Sequence, residues 1–143
     1  MSPVLRRAIY VVCTLLWASG CAWLVAHFFF PATTDFGPAP NPWEPVFLRI
    51  HGWVAVCGVF LLGWITAEHI SDRWRRARNR VTGFSLAGCA LVLVLSGYAL
   101  YYTTDYFHDV AAVAHETLGV AAIIVALMHW TRSSSNREEA RRV

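Results

Sequence analysis

Four apolar runs, each long enough to cross a hydrocarbon core, leave this chain little choice of fold. They cover residues 8–30, 47–69, 81–103 and 110–131. Each meets the roughly 20 residues that a membrane-spanning helix needs. Lipid offers no partner to a backbone N–H or C=O, so a continuous run of this kind satisfies its own backbone as a helix. The expected fold class is all-α: a membrane-embedded, up-and-down four-helix bundle, one domain over residues 1–143, with 132–143 as a polar cytoplasmic tail. Composition agrees, with 57% hydrophobic and 15% charged residues against roughly 25% charged in soluble domains.

The start of the chain has a second reading. "MSPVLRR" ahead of an apolar run resembles a secretory signal, and "ASGC" at 18–21 resembles a lipoprotein cleavage site. The apolar run continues through "AWLVAHFFF" to Phe30, however, so the segment reads as a retained helix.

Charge sets the topology. All 12 basic residues are arginine. Eleven cluster in three places: Arg6 and Arg7, "RWRRARNR" at 73–80, and the segment after Thr131. By the positive-inside rule both termini and the 71–80 loop are cytoplasmic, and "PATTDFGPAPNPWEP" and "TTDYFHD" face outward. The net charge of +3 is therefore a topological signal and gives no support to a nucleic-acid partner. The partner implied is the lipid bilayer, with multi-pass placement in a bacterial inner membrane.

Two of the runs begin and end near histidine: "HGWVAVCGVFLLGWITAEH" at 51–69 and "HETLGVAAIIVALMH" at 115–129. The 18 steps from His51 to His69 make five full helical rotations at 100° per residue, and the 14 steps from His115 to His129 fall about 40° short of four. Each helix aims both rings at one face. Helices 2 and 4 run the same way, so His51 and His115 share the outer level, and His69 and His129 the inner one. Two facing imidazoles are an axial ligand set for haem iron. No C-x-x-C-H occurs, so the haems expected are two non-covalent b-type groups, about 21 to 27 Å apart along the helices.

Alternatives stand beside this. A histidine near a helix end can rest in the interface with its polar tip wet. One haem only, with the second pair empty, also satisfies the pattern. A haem-free membrane anchor or small transporter subunit is the rival class, although the helix middles are apolar and unbroken, unlike transporter cores.

Gly83 and Gly97, 14 residues apart on helix 3, sit at the inner and outer levels. Glycine would let a flat macrocycle approach the backbone, although glycine is also an ordinary packing residue in membrane helices.

The segments "RIHGW", "LSGYALYY", "AHETLGV" and "MHW" give residues 47–131 a chain pattern that resembles the di-haem transmembrane cytochromes b. That broad group includes the bacterial cytochrome b561 type and the cytochrome b subunits of respiratory dehydrogenases and hydrogenases. The resemblance implies a haem-binding electron carrier that exchanges electrons with a quinone pool or a partner subunit. The spacings depart from it, because related chains often space both ligand pairs about equally. Some four-helix members of the group recruit a ligand from helix 1, so the resemblance makes His27 an alternative outer ligand; His51 is preferred because it is in phase with His69.

Haem propionates call for donors at the interfaces. Arg49 is the outer candidate; Arg73, Arg80 and Arg132 are inner ones, with topology-setting as their other role. Glu68 and Glu116 each abut a histidine, and Glu116 is a candidate proton acceptor for a quinol. His108 is assigned to an exposed outer loop. Cys13, Cys21, Cys57 and Cys89 form no metal motif and are assigned no chemistry. The function expected is single-electron relay through two bis-histidine haems, with no residue assigned to catalysis. Any quinol oxidation or quinone reduction would occur at a neighbouring site or on a redox partner protein. Full axial ligation leaves no open iron position.

Overall fold

The computed structural model describes residues 2–67 and 80–142, without the side chains of 80, 82 and 132–142. The chain is all-α, with four helices each long and apolar enough to cross a membrane. They are α1 (Pro3–Phe29), α2 (Glu44–Ile65), α3 (Arg80–Tyr102) and α4 (Asp105–Arg142). Contacts divide the chain into two compact units, Met1–Glu68 and His69–Val143. The first pairs α1 with α2 and the second α3 with α4.

Local chemistry explains the ends. Ser2 caps α1, its Oγ accepting the Leu5 N–H at 3.2 Å, and Pro3 occupies the first turn, where its missing N–H costs nothing. Helix α1 therefore starts before the apolar run at residue 8. Pro45 and Glu44 play the same part in α2, proline preset for the helix and the carboxylate at the positive end of its dipole.

Residues 30–43 between these helices hold a short β-hairpin, β1 (Ala32–Thr34) paired antiparallel with β2 (Gly37–Ala39). Gly37 has φ +109°, a backbone region that side-chain-bearing residues rarely adopt. Thr34 Oγ1 ties the turn by accepting the Phe36 N–H and donating to the Gly37 carbonyl.

The connection between α3 and α4 corrects the sequence reading. Helix α4 begins at Asp105, not near residue 110, so the turn after α3 is only Thr103 and Thr104. Asp105 makes the reversal with φ +52°, a left-handed conformation that aspartate tolerates better than most residues. "DYFHD" thus belongs to the start of a helix, and His108 lies in α4 beside Asp109, at 3.8 Å, instead of in a loop. The polar segment after Thr131 also continues α4 as helix, to Arg142.

Within each unit the burial pattern is that of a membrane protein. The described buried residues are three apolar ones, Leu5, Ala26 and Ala111, and three polar ones, Ser19, Glu44 and Ser96. Large apolar side chains such as Phe28, Trp53, Phe60, Leu95 and Ile124 face outward. Water would not tolerate so much exposed apolar surface on a monomer, whereas lipid favours it.

Candidate functional site

Small residues bring the helices of the first hairpin together, and polar groups mark the seam. Gly58 of α2 sits against Leu16 and Val12 of α1. Nearer the start of α2, the His51 ring lies against Gly20, where an added Cβ would stand 3.3 Å from Cε1. At the end of α1 His27 meets Glu44, the first residue of α2: Nδ1 is 3.1 Å from Oε2, and the other carboxylate oxygen accepts the Asn41 N–H at 2.8 Å.

His51 is held through Nδ1, 3.1 Å from both Ser19 Oγ and the Leu16 carbonyl. Proton counting fixes the direction of these bonds. Ser19 Oγ stands 2.7 Å from the Leu15 carbonyl, so its one proton is committed to its own helix. The hydroxyl can then only accept from His51, and so can the Leu16 carbonyl. The proton is on Nδ1. In the neutral ring the lone pair is on Nε2.

The second hairpin repeats the arrangement. Ser96 Oγ donates to the Val92 carbonyl at 2.7 Å and stands 3.0 Å from His115 Nδ1. The next residue, Gly97, lies under the same ring, and a Cβ there would come within 3.0 Å of Cε1. A Ser-Gly pair on one helix therefore holds one imidazole of the next, in each hairpin independently. Further along, Gly119 faces Leu93, and Gly83 faces His129, where an added Cβ would stand 3.8 Å from Cε1.

The glycines named from sequence thus lie opposite histidines, Gly97 at His115 and Gly83 at His129. What approaches the bare Cα of Gly97 is the imidazole itself, in the place where the sequence suggests a macrocycle. His51 lies about 10 Å from the start of α2, and His115 about 15 Å from the start of α4.

His27 is occupied differently. Besides Glu44 it stacks on Trp23, with ring centroids 4.8 Å apart. Trp23 Nε1 is buried and has no hydrogen-bond partner among the described residues. Arg49 is exposed on α2, and Glu116 is half-buried in α4. His69, Glu68 and Arg73 lie outside the described residues, and the side chains of Arg80 and Arg132 are likewise outside them. The four cysteines are free thiols. Among the described residues no three histidine, cysteine or acidic side chains cluster as a ready metal site.

Ser19, Gly20 and Ser96 do not stand out in the sequence read one helix at a time. A signal is present all the same: "SG" occurs in "ASGC" on α1 and again in "LSGY" on α3, the helices that precede each histidine helix. Comparisons of the chain with protein-family models, with curated proteins and with solved structures find no match.

Proposed function

We propose that this chain is a membrane electron carrier that binds two b-type haems through histidine. His51 and His115 would be the axial ligands of the outer haem, and His69 and His129 those of the inner one. The observation that carries the reading is the twice-held imidazole: in each hairpin a buried serine hydroxyl stands against the Nδ1 of one ring, at 3.1 Å for His51 and 3.0 Å for His115, and Nε2 would be the ligating nitrogen. A ligating histidine commonly has its other ring nitrogen fixed in this way.

The donor set fits the group. Two neutral imidazoles are suitable for haem iron, and the helix surfaces are apolar as a porphyrin face requires. The buried Trp23 N–H is one donor suited to a propionate, and the exposed Arg49 is another. His27 is engaged with Glu44 and Trp23, which favours His51 as the outer ligand. Gly83 against His129 supports the inner position. When bound, the haems supply one-electron chemistry; the chain holds the rings, fixes their tautomer and surrounds them with apolar side chains.

In this reading the protein sits in a bacterial inner membrane with both termini cytoplasmic, as the arginine distribution favours. Electrons pass between a quinone pool or dehydrogenase and a partner redox protein. The test is a reduced-minus-oxidised visible spectrum with haem quantified per chain as the pyridine complex. About two b haems per chain is the expected result. A chain that takes up none when haem is abundant would end the proposal and leave a membrane anchor or small transporter subunit.

A further inference from the structure

We infer that Ser19 and Ser96 are positioning residues for two metal-ligating imidazoles, fixing His51 and His115 in the Nδ1–H tautomer. The inference rests on the haem reading for what the rings ligate, but its structural half stands on the two hairpins alone.

Serine inside a membrane helix commonly bonds back to its own backbone, so the back-bond itself is no sign of function. Ser85 shows as much: on α3 it donates to the Val81 carbonyl at 2.9 Å, is exposed, and holds no histidine among the described contacts. Ser19 and Ser96 differ in being among the few buried residues of their hairpins, each 8% exposed. Alanine would fill either position at less polar cost. The hydroxyl adds one thing alanine lacks, an acceptor whose own proton is already committed. Both serines use it on an imidazole Nδ1, at 3.1 and 3.0 Å. Each is also followed by a glycine on which that ring rests. Two separate helix pairs arrive at the same three-residue device, which packing alone does not require.

An acceptor at Nδ1 has two consequences for a ligand. It selects the ring nitrogen that bears the lone pair, and it raises the donor strength of that nitrogen. Loss of the acceptor should therefore weaken haem binding and favour the reduced iron.

The test uses the full chain in lipid nanodiscs with ¹⁵N-labelled histidine. In the haem-free wild type, ring nitrogen shifts should report Nδ1–H at both His51 and His115. Haemin titration of Ser19→Ala and Ser96→Ala should then show binding weakened about 10- to 100-fold, the usual effect of removing such an outer partner. Their midpoint potentials should rise. Ser19→Thr and Ser96→Thr keep the hydroxyl and should restore both readouts, and Ser85→Ala should leave them unchanged.

An Nε2–H tautomer at either ring in the wild type overturns the inference, and needs no variant to fold. So does haem binding equal to wild type in both alanine variants. A wild type that binds no haem overturns the function instead, with the tautomers still deciding the role of the serines.

Discussion

His115 and Ser96 meet at 3.0 Å, Nδ1 to Oγ, while the same ring covers the bare Cα of the adjacent Gly97. One residue anchors the imidazole and its neighbour makes room for it. The two cannot be altered independently.

Alanine at the glycines should therefore hurt in a fixed order. At Gly97 the new methyl would stand 3.0 Å from a ring that Ser96 prevents from yielding. We expect Gly97→Ala to cost about 1–3 kcal/mol, as overpacking does. Gly20→Ala, at 3.3 Å from His51, should cost less, and Gly83→Ala, at 3.8 Å from His129, almost nothing. Gly58→Ala also approaches to 3.0 Å, but the neighbour is Leu16 Cδ1, the mobile end of a flexible chain. It should be tolerated. Thermal unfolding of the four variants in one detergent gives the ranking.

Glu44 fastens the α1–α2 turn of the first hairpin. It is 7% exposed and accepts from both the Asn41 backbone and His27. Glu44→Ala leaves the Asn41 N–H without its acceptor and should lower stability by about 1–3 kcal/mol. Glu44→Gln keeps an oxygen for Asn41 and should cost less. Chemical unfolding of the three chains in mixed micelles compares them; equal midpoints would show that the contact is dispensable.

Trp23→Phe separates packing from donation. Phenylalanine retains an aromatic face for His27 and removes the buried N–H that has no partner among the described residues. The haem-free protein should be as stable as wild type or slightly more so, since an unsatisfied polar group is removed. Haem affinity should fall if that N–H holds a propionate. Unchanged affinity would remove Trp23 from the site.

Two variants test the proposed choice of His51 over His27 as a haem ligand. His51→Ala should lose one haem of two per chain, whereas His27→Ala should retain both and show only the stability loss of the Glu44 contact. Haem per chain, measured as the pyridine complex, is the readout. The reverse result would transfer ligation to His27.

The helices are legible in the sequence because bilayer thickness imposes a length that hydropathy reports directly. Their ends are less so. Hydropathy registers apolar content, whereas Ser2–Pro3 and Asp105 act through capping and backbone geometry, moving α1 and α4 earlier than the apolar runs begin. His51 and His115 draw attention in the sequence as polar rings in two apolar runs. Their serine partners do not, because phase within a helix does not say which face of its neighbour it meets. The "ASGC" segment, taken by itself, suggests cleavage chemistry; its meaning is the pairing of Ser19 with His51, 32 positions on. The β-hairpin at 32–39 likewise depends on pairing, which hydropathy does not encode.

The contacts described for His51 come from α1, and those described for His115 come from Ser96 and Gly97 on α3. This bears on biogenesis. As ribosomal synthesis proceeds, the first helix pair can set its imidazole once residue 65 has entered the bilayer, before the third helix exists. The second pair can do the same by its own residues. Each histidine thus emerges already oriented from a separately inserted half, and a polar ring need not wait in lipid for the rest of the chain.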